Sequence, residues 1–130
     1  MKTLITGISG FIGSALYQTF LRNGHEIFTI YNHSFGNRAL IDIPDHQFFV
    51  DDIRNRKKVF EIFREVQPDW VIHLAAIHFI PYCNAHPFEA AQVNIQGTKN
   101  ILDACKSHNI QKVLYASTAA VYPIIDEPIT

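Results

Sequence analysis

Three glycines at three-residue spacing, Gly7, Gly10 and Gly13, stand between an apolar run, Leu4-Ile5-Thr6, and an apolar pattern that restarts at Ile12. Where a strand passes into a helix, glycines so placed allow a tight turn, close approach of backbone to a pyrophosphate, and close packing of helix on sheet. The helix start adds unpaired N–H groups and the positive end of its dipole. The chemistry predicted for Gly7, Gly10, Phe11, Ile12 and Gly13 is therefore capture of a dinucleotide by its diphosphate. The strand before and the helix after distinguish this from an incidental glycine-rich turn.

Other clusters carry weaker signals. Asp51-Asp52 reads as a strand-end cap with one residue on a bound base, in preference to a carboxylate pair for acid-base work. His78, Cys83 and His86 have a spacing that metal ligands use, but a zinc site needs further convergent ligands and support behind them, and no metal is expected. That loop is read instead as lining the substrate side. His73, inside an apolar run, reads as a buried structural histidine. Arg54, Arg56, Lys57 and Lys58 read as the solvated start of a helix.

The elements that hold these groups alternate. Strands are predicted at Leu4–Thr6, Ile27–Tyr31, Phe48–Val50, Trp70–Ala76 and Val113–Ala116. The run Trp70–Ala76 is almost wholly apolar, as in a strand covered on both faces. Between the strands, Ile12, Leu16 and Phe20 share one helical stripe, and Val59, Ile62, Phe63 and Val66 another that stops before Pro68. Asn32–Asp45 reads as a loop with room for a helical turn, and Ile77–Pro87 as a loop. A long helix follows to about His108, with Ala91, Asn94, Thr98, Ile101, Leu102 and Cys105 on its inner face. Alternation predicts right-handed crossovers and an α/β, Rossmann-type doubly wound parallel sheet of five strands, order 3-2-1-4-5, in one domain over residues 1–130.

Composition narrows the field. A net charge of -1, with acids and bases interleaved, argues against nucleic acid as a partner. No apolar run approaches the length that crosses a bilayer, about 20 residues. Cys83 and Cys105 are too few and too far apart for a disulfide framework, which predicts a reducing cytoplasm.

Five landmarks in order resemble the extended short-chain dehydrogenase/reductase family, in its sugar-nucleotide epimerase/dehydratase branch. They are Thr6-Gly7-x-x-Gly10-Phe11-Ile12-Gly13, Asp52-Ile53, His73-Leu74-Ala75-Ala76, Asn94-Ile95-Gln96-Gly97-Thr98 and Ser117-Thr118-Ala119-Ala120-Val121-Tyr122. The resemblance implies that Asp52 and Ile53 meet the adenine, and that Leu74, Ala75 and Ala76 lie beneath the ribose and pyrophosphate. It also implies that Asn94 is structural and close to the cofactor, that Ser117 adjoins the cofactor, and that Thr118 bonds the substrate oxygen. The cofactor implied is NAD or NADP, the substrate a nucleotide sugar.

The chain departs from that pattern in four places. Tyr31 stands where NAD-using relatives place an aspartate at the end of the second strand. With Asn32, His33, Ser34 and Arg38 nearby, NADP stays open beside NAD. Ala119-Ala120 replaces the Asp-Glu of dehydratases and cannot transfer protons, which favours an epimerase or simple reductase. Pro123 replaces a glycine. None of Tyr17, Tyr31, Tyr82, Tyr115 and Tyr122 has a lysine four residues on, so the family's Tyr-x-x-x-Lys is missing. The expectation is the NAD(P)-binding front of a longer epimerase, ending before the catalytic helix, inactive by itself and able to self-associate through the open edge of its fifth strand. The alternatives are a non-catalytic dinucleotide sensor and part of a small-carbonyl reductase.

Overall fold

The computed structural model describes residues 1–118. Strands β1 (Lys2–Thr6), β2 (Glu26–Tyr31), β3 (Phe48–Val50), β4 (Trp70–His73) and β5 (Lys112–Tyr115) form one sheet in the order β3-β2-β1-β4-β5, all neighbours parallel. Register pairs Thr3 with Trp70 and Thr6 with His73 on one side of β1, and Lys2 with Glu26 on the other. The fold class and strand order are those predicted. The chain reverses direction of travel between β1 and β4, so the carboxyl ends of these two strands open a crevice.

Helix α1 (Phe11–Arg22) packs on one face, while α2 (Arg56–Val66) and the long helix before β5 pack on the other. Val59, Ile62, Phe63 and Val66 are all buried, as their spacing predicts, and join Leu4, Val71 and Ile101 in one core. Burying each such side chain is worth about 1.5–3 kcal/mol. Asn55 caps α2, accepting from the Lys58 N–H at 3.3 Å. Gln67 ends it in the left-handed region, φ 49°.

Four expectations are corrected. In α1 the buried positions are Gly13 and Tyr17, with Leu16 and Phe20 half-buried and Ile12 exposed. Close approach at Gly13 turns the stripe by one residue. Strand β4 stops at His73, because β1 ends at Thr6 and β5 at Tyr115, leaving Leu74–Ala76 without a strand partner beyond the bond from the Leu74 N–H to the Thr6 carbonyl. The Ile77–Pro87 loop holds a short helix, α3 (Ile80–Ala85), with a proline in the first turn where its missing N–H costs nothing. The long helix is α4 (Pro87–Ala91), a π-helical stretch Gln92–Gly97, and α5 (Thr98–Ser107). The wide turn shifts the phase, so Ala90, Val93, Gly97, Ile101, Ala104 and Cys105 face inward while Ala91 and Leu102 face out. Asn32–Asp45 contains one 3₁₀ turn, Arg38–Leu40, and a second follows at Asp45–Gln47. No helix among the described residues is long and apolar enough to cross a membrane.

Candidate functional site

The turn after β1 is built by backbone contacts that only glycine permits. Gly7 has φ +72°, and a Cβ there would lie 2.7 Å from the Ala75 nitrogen. A Cβ on Gly13 would lie 2.4 Å from the Gly7 carbonyl oxygen and 2.5 Å from the Ile8 Cα, so the helix rests directly on the turn. Gly10 differs: a Cβ there would meet only the Gly7 oxygen, at 3.2 Å, and otherwise enters open space. It is the residue before α1, and no side chain caps that helix. The N–H groups of Phe11, Ile12 and Gly13 thus start a helix whose positive end faces a cleft of about 410 Å³.

Gly7, Gly10, Phe11, Ile12 and Gly13 form the floor of this cleft, with Tyr31 and Asn32 at one end and Leu74, Ala75 and Ala76 opposite. Ile53 closes the wall beside β3. A glycine cradle, an uncapped helix terminus and apolar walls match the diphosphate and the flat rings of a dinucleotide, so the residues present fit that group.

Of the remaining predicted residues, Asp52, Asn94, Ser117 and Thr118 stand outside the cleft lining. The carboxylate of Asp52 accepts from Arg54 Nε at 2.9 Å, from Arg54 Nη2 at 2.7 Å and from Asn32 Nδ2 at 3.2 Å. Burial works to raise its pKa, and the Arg54 and Asn32 hydrogen bonds outweigh it, leaving the carboxyl below its ordinary value. Asp51, not Asp52, is the member of the pair in the cleft wall. Asn94 acts through the backbone: Oδ1 accepts from the Ile77 N–H and Nδ2 donates to the Ile77 carbonyl, both at 2.8 Å. It fixes the segment that carries Ala75 and Ala76. Ser117 and Thr118 follow β5 on the surface, next to Ala116, which does reach the cleft. Ala119, Ala120, Val121, Tyr122 and Pro123 lie outside the described residues.

His73 is buried beneath the site, with Nδ1 2.6 Å from Thr6 Oγ1 and Nε2 2.9 Å from Thr98 Oγ1. Burial pushes its pKa down to about 4, so the ring is neutral near pH 7 and is a strut, as its sequence context predicts. Among the described residues no three His, Cys, Asp or Glu side chains converge on a metal-sized site. His78 lines the cleft, Cys83 bonds the Ile77 carbonyl, and His86 packs against Tyr82.

The structure adds residues that sequence reasoning passed over. Gly36, φ +94°, folds the loop after β2 onto Ser9, and the Asn37 N–H donates to the Ser9 carbonyl at 2.9 Å. Phe35 from that loop lines the cleft and meets Tyr82 edge to face, centroids 5.2 Å apart. Asn100, wholly buried, donates to the Ile53 and Arg54 carbonyls at 2.9 and 3.0 Å. Gly97 lets the helix touch Ile53, which a Cβ would strike at 2.6 Å. A buried asparagine one helical turn after a glycine was the available signal.

A model of the NAD dependent epimerase/dehydratase family matches residues 3–130. The UDP-glucose 4-epimerase of Rickettsia rickettsii is 36% identical over 133 residues, covering 95% of this chain and 38% of that protein. A Klebsiella pneumoniae protein named UDP-glucose 4-epimerase is 30% identical over 128 residues, with 94% of this chain and 92% of that one covered. The crystal structure of a Thermus thermophilus UDP-glucose 4-epimerase in complex with NAD superposes with a TM-score of 0.83 at 34% identity, over 91% of this chain and 38% of that chain. The chain thus spans a little over a third of the length of most of these relatives.

Proposed function

The chain belongs to the NAD dependent epimerase/dehydratase family, and from that premise we propose that residues 1–130 form the NAD-binding part of a sugar-nucleotide epimerase. Bound in the cleft, the nicotinamide supplies hydride transfer to and from a sugar carbon. The chain's own residues bind and orient. The N–H groups of Phe11 and Ile12 hold the diphosphate, and Asn32 with the Asp52-Ile53 segment receives the adenosine. Leu74, Ala75 and Ala76, clamped through Ile77 by Asn94, support the ribose and nicotinamide side, with Ser117 near it. Thr118 hydrogen-bonds the substrate oxygen. A threonine hydroxyl is too weak a base to remove a proton at neutral pH, so it positions the oxygen and leaves proton transfer to another group.

NAD is favoured over NADP on two grounds. The Thermus relative is crystallised with NAD. Arg38, the cation nearest in sequence for a 2′-phosphate, is spent elsewhere: its guanidinium stacks over Phe48 at 4.1 Å and bonds Asp45 at 3.4 Å. Assembly belongs to the same proposal. Among the described residues β5 stands at the edge of the sheet with Val113, Leu114 and Tyr115 exposed, and such an edge can pair with a second chain. Light scattering across a concentration series checks this, and a monomer at every concentration counts against it.

The single observation that carries the cofactor reading is the uncapped helix terminus at Gly10, open to the cleft. Calorimetric titration of NAD into the chain and into Gly10→Val tests it. The variant's side chain projects into the pyrophosphate seat, and its Cβ meets only the Gly7 oxygen of the fold. Binding by the parent and its loss in the variant are expected. Equal affinities would overturn the placement.

A further inference from the structure

We propose that Asp51, and not the residue ending β2, makes this cleft reject the 2′-phosphate of NADP. The proposal rests on the reading of the cleft as an NAD site. In a doubly wound sheet an acidic residue at the end of the second strand bonds the free ribose hydroxyls and repels a phosphate in their place. Here that position is Tyr31, whose ring is packed against His33 and Phe48 with centroids 4.6 and 5.1 Å away. It carries no charge into the cleft.

Asp51 supplies one from the neighbouring strand end. Tyr31 is in register with Val50, and the Asp51 N–H donates to the Tyr31 carbonyl at 3.0 Å, so Asp51 comes level with Asn32. Both residues line the cleft. The Oδ1 atom of Asp51 is fixed by the Asp52 N–H at 2.8 Å and Asn55 Nδ2 at 3.3 Å. Two bonds to one oxygen orient the carboxylate and leave Oδ2 for a ribose hydroxyl.

No contact ion pair neutralises that carboxylate among the described residues. Arg54 is taken by Asp52 and Glu89. Lys58 feels Asp51 only from a distance, being held by Glu61 at 2.9 Å. Glu89, in the same wall, has the same sign as Asp51. A hydroxyl donates to such a carboxylate; a dianionic phosphate at that place is repelled, by an amount that corresponds to about tenfold or more in affinity at partly screened contact distances.

The test compares dissociation constants for NAD and NADP in the full chain, in Asp51→Asn, and in the unmodified chain at rising ionic strength. Asparagine keeps the Oδ1 acceptor and removes the charge. The ratio of NADP to NAD dissociation constants is expected to exceed roughly ten in the parent, to fall about tenfold in Asp51→Asn, and to shrink in the parent as salt screens the repulsion. NAD binding with an unchanged ratio in the variant, or with a parent ratio near one or insensitive to salt, overturns the role of Asp51 and leaves the NAD site standing. Failure of the parent to bind either dinucleotide overturns the cleft reading itself. The salt series needs no variant, so a ratio insensitive to salt overturns the proposal even if Asp51→Asn fails to fold.

Discussion

His73 sits inside the sheet with one ring nitrogen on Thr6 and the other on Thr98, so a neutral ring meets both hydroxyls and ties β1, β4 and α5 together under the cleft. Burial holds its pKa near 4, below the value of 6.5 of a free side chain. The unfolded chain therefore binds a proton that the folded one refuses between these two values. The stabilisation is complete above pH 6.5 and is lost as pH falls toward 4. Between about pH 7.5 and 5 the loss should be roughly 2 kcal/mol, with a flatter profile in His73→Gln, as urea denaturation at each pH would show. A parent and variant of equal slope would refute the assignment. Gly13 makes a different demand, since backbone lies within 2.7 Å of any Cβ on it at three atoms. Gly13→Ala should cost roughly 1–3 kcal/mol by forced separation of helix and turn, visible as a lower Tm. A variant that melts with the parent would contradict the contact.

At the scale of elements, the loop after β3 is held by a helix distant in sequence. Asn100 on α5 pairs the Ile53 and Arg54 carbonyls, and Gly97 lets the same helix lie against Ile53. Asn100→Ala leaves two buried carbonyls unpaired, and should lower stability by about 1–3 kcal/mol and weaken NAD binding through Ile53. Thermal melts and NAD titration check the pair of effects; loss of neither would refute the linkage. This element also shows what a sequence conveys. The stripe of α2 was legible because an unbroken period of about 3.6 residues maps directly onto one buried face. The inner face of the long helix was not, because the π-helical turn at Gln92–Gly97 shifts the phase and leaves no mark in residue type. Leu74–Ala76 looked like strand because its residues are apolar, but a strand needs neighbours, and those end at Thr6 and Tyr115. Glycines 7, 10 and 13 could be read because their role lies in a missing atom. Asp51, Phe35 and Asn100 reach the site through contacts between segments far apart in sequence, which spacing cannot report.

At the scale of the whole molecule, the glycine turn and the cleft are read as a dinucleotide site. No tyrosine in the chain is followed four residues later by lysine, so the pair that moves the hydroxyl proton in the resembling family is not among its residues. A polypeptide of these 130 residues should bind NAD yet give no interconversion of UDP-sugars in a coupled assay, and clear turnover would refute that. The chain carries a second concavity along α2, lined by Arg56, Lys57, Phe60, Glu61, Arg64 and His108. Arg56 pairs with Asp103 and Lys57 with Glu61, yet three cations against one carboxylate in the lining make it the natural competitor for a diphosphate. Amide chemical shifts followed by NMR during NAD titration separate the two places. The central claim predicts saturable shifts at Gly10, Phe11, Ile12 and Gly13 with the α2 groove unmoved; shifts confined to Arg56, Lys57 and Arg64, with the glycine turn unmoved, would contradict it.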